Sequence, residues 1–169
     1  FSVTVNPKPT VTASSNPVSP LCAGENLTLT GGGTTSYLWD NSVVDNTAFI
    51  PSVGTVTYTV TGTDASTTCE NTATISVTVN PKPTVTASSN PVSPLCDGEN
   101  LTLTGGGRTS YLWDKSVVDN NAFIPSVGTV TYTVTGTDAS TTCENTATIT
   151  VKVNTTPTVT ASSNPVSPL

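Results

Sequence analysis

The feature that most constrains this chain is an internal repeat of 74 residues. The segment NPKPT at residues 6–10 returns at residues 80–84, and only six of 74 positions differ between residues 6–79 and 80–153. A fixed period of this length is typical of tandem domains. We therefore predict one domain at 6–79 and a second at 80–153. The six differing pairs are Ala23/Asp97, Thr34/Arg108, Asn41/Lys115, Thr47/Asn121, Ser76/Thr150 and Thr78/Lys152.

The two ends of the sequence match further copies of the same repeat. Residues 1–5 match residues 75–79, the last strand predicted in a repeat, and residues 154–169 match the beginning of one. We therefore expect the chain to be a stretch of a longer array. In that array, its partners would be the neighbouring repeats of the same chain.

Alternation of apolar and polar residues predicts β-strands in each repeat. The clearest stretch is 54–80, where Val56, Tyr58 and Val60 alternate with threonines, and a second alternating run ends at Val79. Period-two alternation indicates an antiparallel strand with one buried and one solvated face. Shorter strands are predicted at 9–13, 18–22, 26–30, 36–40 and 47–50, with a loop at Gly31–Gly33. About seven short strands separated by turn residues predict an all-β protein made of antiparallel β-sandwiches.

Composition limits the possible functions. Charged residues make up 9% of the chain, the net charge is −6, and histidine is absent. The absence of a basic patch argues against nucleic acid as a partner, and no apolar run has the length of a membrane helix. Without histidine, the serine- and cysteine-based catalytic arrangements that use it are excluded. Asp40 and Asp45 are conceivable as an acid/base pair, but loop carboxylates on a surface explain them more simply. We expect no enzymatic activity.

The order of features resembles an immunoglobulin-like sandwich. Trp39 and Trp113 stand where that fold has its core tryptophan, while Tyr58 and Tyr132 stand near the start of its sixth strand. The stretches LCAGE (21–25), SYLW (36–39) and TYTVTGTD (57–64) are similar to tandem Ig-like or PKD-like repeats of large secreted surface proteins of Bacteroidetes-type bacteria, including gliding-motility adhesins. This resemblance implies an extracellular, adhesin-like role at the cell surface, with those four aromatic residues in the cores.

The four cysteines form two equivalent pairs, which predicts disulfides and an oxidising compartment. One alternative closes each repeat, through Cys22–Cys69 and Cys96–Cys143. The other joins successive repeats through Cys22–Cys143, and Cys69 and Cys96 then pair with copies outside this sequence. In an Ig-like sandwich the two cysteines of one repeat lie at opposite ends, which favours the second pairing, but uncertain strand limits keep both open. Single cysteines without histidine argue against zinc.

We expect no cofactor, with one alternative, which is Ca²⁺ bound by loop carboxylates such as Asp64 and Glu70. The rows of outward-facing threonines are explained more simply as a solvent-exposed strand face, because threonine favours β-strands, than as a face that orders water or binds a glycan. The function predicted from the sequence is that of a structural spacer in an extracellular adhesin or surface filament, with identical chains in a fibre as a further candidate partner. The alternative is a glycan-binding β-sandwich module. The sequence does not identify an adhesive target.

Overall fold

The computed structural model describes residues 1–162, and the chain divides into two units, Phe1–Lys82 and Pro83–Leu169. Residues 163–169, which hold part of the predicted third copy, lie outside the described residues. Residues 1–11 form no strand here, so the assignment of residues 1–5 to a preceding repeat stays a prediction. Among the described residues, no helix is long and apolar enough to span a membrane.

Each unit is an all-β sandwich of seven strands, as predicted. In the first unit, one sheet has the order β1-β3-β5 and the other has the order β2-β7-β6-β4. The strands are β1 Thr12–Asn16, β2 Leu21–Cys22, β3 Leu27–Gly32, β4 Ser36–Trp39, β5 Ala48–Phe49, β6 Gly54–Thr63 and β7 Glu70–Asn80. All pairings are antiparallel except that of β2 with β7, which is parallel.

The second unit repeats this topology, with sheets β12-β10-β8 and β11-β13-β14-β9. Its strands are β8 Thr86–Asn90, β9 Leu95–Cys96, β10 Leu101–Gly106, β11 Ser110–Trp113, β12 Ala122–Phe123, β13 Gly128–Thr137 and β14 Glu144–Asn154. Every strand has the same length as its counterpart in the first unit. The six substitutions therefore leave the backbone pattern unchanged.

The hairpin β6–β7 is the largest element of each sandwich because its alternation continues through ten paired positions. Val56 faces Val77, and Tyr58 faces Ile75, on the side that packs against the β1-β3-β5 sheet. Threonines occupy the opposite side, where Thr57 and Ser76 share a hydroxyl hydrogen bond of 2.8 Å. Cross-strand pairs of this kind stabilise an antiparallel sheet on both faces.

The two cores consist of equivalent residues, and none of the six differing positions belongs to them. Trp39, Tyr58, Trp113 and Tyr132 are each no more than 4% exposed. Phe49 packs edge-on against Tyr58, with ring centroids 5.9 Å apart. The core residues are Leu21, Leu27, Leu29, Trp39, Tyr58, Val60, Val77 and Val79, and in the second unit Leu95, Leu101, Leu103, Trp113, Tyr132, Val134, Val151 and Val153.

Several strand limits differ from the predictions: β1 extends to Asn16, β2 is confined to Leu21–Cys22, β3 is displaced to Leu27–Gly32, and β4 and β5 are shorter than predicted. The first strand begins at Thr12 and not at Pro9, because the Pro9 carbonyl accepts a hydrogen bond of 2.9 Å from the Asn71 side chain instead of a strand partner. The predicted glycine loop is partly strand, since β3 continues through Gly32. A side chain on Gly31 would overlap the Tyr37 ring, so glycine here permits close packing of an aromatic residue.

Candidate functional site

The turn between β6 and β7, which with its counterpart in the second unit we call the hairpin pole, is organised by one carboxylate. Asp64 Oδ1 accepts hydrogen bonds from the backbone N–H groups of Ser66 and Thr67, both at 2.9 Å, and from both hydroxyls. Thr68 adopts a positive φ of 57°, and its N–H donates to the Asp64 carbonyl at 2.8 Å. An aspartate that caps its own turn in this way is an Asx motif.

These hydrogen bonds also set the charge state of the turn. The Ser66 hydroxyl, followed by the backbone and hydroxyl of Thr67, lowers the pKa of Asp64 from 3.8 to about 2. In the second unit, Ser140 and Thr141 lower the pKa of Asp138 to about 2 in the same way. Both carboxylates are therefore ionised over the whole physiological range, where they satisfy backbone donors.

The second unit adds an ion pair at its hairpin pole. Arg108 replaces Thr34, and its guanidinium donates to Asp138 Oδ2 at 2.7 Å. Both side chains are partly exposed, at 31% and 21%, so solvent screens the attraction. This pair is a local addition to a turn that the first unit builds without it.

The expected calcium ligands are occupied by hydrogen bonds within this turn. Asp64 Oδ1 serves the turn, and Glu70 Oε1 accepts from the Thr63 hydroxyl at 3.3 Å. Over residues 1–162, no group of three or more acidic or cysteine side chains is arranged to hold a metal ion. Calcium binding stays a prediction, to be checked by titration.

The opposite end of each sandwich, which we call the exit pole, is formed by β2 beside the last residues of β7. Cys22 pairs in register with Asn80, and the Ala23 N–H donates to the Asn80 carbonyl at 2.9 Å. Glu25 accepts from the Cys22 N–H at 2.8 Å and closes the tight turn that follows β2. The exit pole is thus the place where the chain leaves the first unit.

The positions of the cysteines exclude the within-repeat pairing. Cys69 directly precedes β7 at the hairpin pole, whereas Cys22 lies beside its last residue, Asn80. A strand of 11 residues spans about 35 Å, while bonded cysteines have Cα atoms less than about 7 Å apart. The same reasoning applies to Cys96 and Cys143. In the structure Cys69 and Cys96 carry free thiols, and Cys22 and Cys143 are disulfide-bonded.

In each sandwich, one loop carboxylate binds the loop after β4 to the core tryptophan and to β3. The sequence did not identify this residue, Asp45 in the first unit, as important. Asp45 Oδ1 accepts from the Trp39 indole N–H at 2.8 Å and from the Gly31 N–H at 2.7 Å. Asp45 Oδ2 accepts from Asn46 at 3.1 Å. Asp119 makes the equivalent bonds in the second unit. Because its oxygens serve these donors, Asp45 is a structural residue and not half of an acid/base pair with Asp40.

An open groove runs beside the short strand β5 in the first unit and β12 in the second. The volumes are about 580 and 670 Å³. Val44 and Ile50, each 64% exposed, form the outer wall in the first unit, and the buried Tyr58 lies at the floor. The aromatic residues that line this groove are Phe49, which is partly buried, and Tyr58, which is buried. In the second unit Lys115 replaces Asn41, with its ammonium 5.5 Å from the centre of the Tyr132 ring.

No family model matches the chain, and no curated protein matches it. Among solved structures, it is similar to the fibronectin(III)-like modules of Clostridium thermocellum CbhA, with 14% sequence identity and a TM-score of 0.37. That match covers 86% of this chain and 95% of the other. The assignment of a β-sandwich rests on the strand order of the two sheets in each unit of this chain, and not on that similarity.

Proposed function

We propose that this chain is a pair of spacer repeats from a long extracellular surface protein, such as an adhesin or a surface filament. The observation that carries the proposal is that the same seven-strand sandwich is built twice, with identical core residues and every difference outside the core. A part that is repeated almost unchanged supplies length more readily than it supplies distinct binding sites.

The connection between the units supports the same role. Only Pro81 and Lys82 lie between the end of β7 and Pro83, and a Pro-rich linker of this length is stiff. The Asn145 side chain also donates to the Pro83 carbonyl at 2.8 Å, which fixes the beginning of the second unit to its own hairpin pole. In the first unit, the Asn71 side chain donates to the Pro9 carbonyl in the same way, so the beginning of each repeat is bonded to its own hairpin pole.

The setting that we propose is the cell surface. Disulfide-bonded cysteines belong to oxidising compartments, and Cys22 and Cys143 are both disulfide-bonded. Neighbouring repeats of the same chain are the proposed partners, and identical chains are proposed as further partners in a laterally assembled fibre. The acidic surface, with a net charge of −6, is suited to a soluble array.

The spacer function can be tested by changing length alone. One or two consecutive copies of the whole chain would be displayed between a cell-surface anchor and a fluorescent reporter domain, and the height of the reporter above the envelope would be measured by super-resolution imaging. We expect the second copy to increase the height. An unchanged height would refute the spacer function, because a collapsed or flexible chain would not hold the reporter away from the cell.

The groove beside β5 supports a second candidate, a glycan-binding module, because the groove is present in both units. Labelled oligosaccharides would be screened against the chain and against a variant with Ile50→Ser and Ile124→Ser, which removes one of the two exposed apolar side chains from the outer wall in each unit. Binding that disappears in this variant would favour the module. Equal signals from both proteins, or no signal, would favour the spacer.

A further inference from the structure

One turn at the exit pole of the second unit contains a reactive pair of residues that the first unit lacks. Asp97 and Gly98 directly follow β9, whereas the equivalent positions in the first unit hold Ala23 and Gly24. In the second unit, a side-chain carboxyl group is therefore attached next to a backbone nitrogen that no neighbouring side chain shields, because glycine has no Cβ. This nitrogen and this carboxyl group can react with each other.

The turn is held at its ends and not at its centre. The Glu99 N–H donates to the Cys96 carbonyl at 3.2 Å, and Gly98 has a φ of +85°, as in a type II turn with Asp97 and Gly98 as its central residues. Within residues 1–162, no hydrogen bond involves the Gly98 N–H, the Asp97 carbonyl or the Asp97 carboxylate. The central peptide group can therefore rotate toward the carboxyl group without breaking a hydrogen bond.

We propose that Asp97–Gly98 is a site of self-modification, at which the aspartate converts to isoaspartate in the folded chain. Both residues are exposed, and the space beside Gly98 is open, since a Cβ added there would meet no other atom within 4 Å. Water therefore reaches the site. The proposal does not depend on the spacer function, because it concerns this turn alone.

The reaction has two steps and exchanges no electrons with another molecule. In the first step, the Gly98 nitrogen attacks Cγ of the protonated Asp97 carboxyl group. A C–N bond forms, a C–O bond breaks, and the hydroxyl group leaves with the N–H proton as water. In the second step, water adds to the backbone carbonyl of Asp97 in the resulting succinimide ring. Cleavage of the C–N bond at that carbonyl leaves the main chain running through the Asp97 side chain.

Isoaspartate adds one methylene group to the main chain within the turn, which affects the strand before it. The Asp97 N–H donates to the Asn154 carbonyl at 2.8 Å, and Cys96 is in register with Asn154 where β9 pairs with β14. The Cys96 N–H donates to the Glu99 carboxylate at 2.8 Å. A longer main chain displaces these donors and acceptors, so β9 and its buried Leu95 are held less firmly. The second unit then loses stability with age, whereas the first unit keeps its original turn.

The modification can be detected after the full chain has been kept for several weeks in neutral buffer at physiological temperature. After reduction, cleavage at Glu70 and Glu99 isolates residues 71–99, in which Asp97 is the single aspartate. Electron-transfer fragmentation distinguishes isoaspartate from aspartate, because the two have different backbone bonds. We expect isoaspartate to accumulate in this peptide, preceded by a succinimide that is lighter by one water. Asp97→Ala restores the residue of the first unit and is the matched control, which should show neither product.

The same chain aged in denaturant gives the reactivity of this pair of residues without the folded turn. Isoaspartate in the denatured chain but not in the folded chain would overturn the proposal, because the turn would then prevent ring closure. Its absence from both chains would overturn the proposal as well. Accumulation in the folded chain, and not in the Asp97→Ala variant, would support it.

Guanidinium denaturation in reductant, followed by tryptophan fluorescence, measures the effect on each unit. In the aged chain, we expect the midpoint of the second unit to decrease by about 1 M, as for the loss of two hydrogen bonds, and that of the first unit to be unchanged. The aged Asp97→Ala variant should keep both midpoints. An equal decrease in both units, or a decrease in the variant, would refute the link between isoaspartate and the loss of stability.

Discussion

The side loop of each sandwich depends on Asp45, and removing its carboxylate is the most informative single change in the chain. In the Asp45→Ala variant, the Trp39 indole N–H and the Gly31 N–H lose a common acceptor that lies at 2.8 and 2.7 Å. Both donors are partly buried, and a donor left without a partner costs about 1–3 kcal/mol. We expect the first unit to lose about 3 kcal/mol of unfolding free energy.

The unchanged second unit provides an internal reference for this measurement. Each unit contains a single tryptophan, so denaturation followed by tryptophan fluorescence reports on both units in one sample. For domains of this size, unfolding free energy falls by about 2 kcal/mol per molar guanidinium, so the midpoint of the first unit should decrease by about 1.5 M. The expected curve has two steps of similar amplitude. The experiment is done in reductant, so that disulfide bonding of Cys22 and Cys143 does not affect the unfolding midpoints.

Two control variants distinguish the loss of the Asp45 hydrogen bonds from two other effects. Asp45→Asn tests the loss of the negative charge, and Asp40→Ala tests a substitution elsewhere in the same loop. Asp45→Asn keeps a side-chain oxygen in place of Oδ1 and should lose about 1 kcal/mol or less. Asp40→Ala, in the same loop, removes an exposed carboxylate that, among residues 1–162, accepts a side-chain hydrogen bond only from the Asn41 amide at 3.2 Å, and should change stability by less than about 0.5 kcal/mol. Equal shifts for Asp45→Ala and Asp40→Ala would refute the assignment of Asp45 as the residue that holds the loop.

Three other predictions concern packing, pH and the added ion pair. Gly31→Ala should destabilise the first unit by about 1–3 kcal/mol, because the new methyl group overlaps the Tyr37 ring, and guanidinium denaturation measures the loss. The turn at Asp64 should be fully stabilised above about pH 4, since its pKa is lowered to about 2, and should lose that stabilisation as the pH falls through 2, which carboxyl ¹³C NMR titration would record. Arg108→Thr should cost less than about 1 kcal/mol by the same denaturation assay, because the ion pair with Asp138 is partly exposed.

Alternation in the sequence was sufficient to predict the long hairpin. Its two strands lie within the predicted stretch 54–80, because a threonine on one face and an apolar residue on the other leave a single register that buries the core. The first strand was placed three residues too early, at Pro9, since the side chain that holds the Pro9 carbonyl belongs to Asn71, far along the chain. Local patterns contain no information about such a distant partner.

Among the functional features, too, those set by local sequence were predicted, and those set by residues distant along the chain were not. The sequence placed the two cysteines of a repeat at opposite ends of a sandwich, and the register of β2 with β7 confirms that separation. It did not identify Asp45, because a carboxylate in a polar loop looks the same whether it is solvated or bonded to a buried indole. The spacing of six residues from Trp39 is the one available signal, and it has meaning only once the loop is known to fold back.

The differences between the two grooves distinguish a binding module from a spacer. Two of the six substitutions, Asn41/Lys115 and Thr47/Asn121, line the grooves, whereas none replaces a fully buried core residue. If the groove binds a ligand, the added ammonium at Lys115 gives the two units different affinities for acidic glycans. Exchanging the residues, through Asn41→Lys and Lys115→Asn, would then transfer the preference from one unit to the other. For a spacer, we expect no ligand to distinguish the exchanged chain from the original, and the reporter height to be the same, because both positions are on the surface and neither contributes to the length of a repeat.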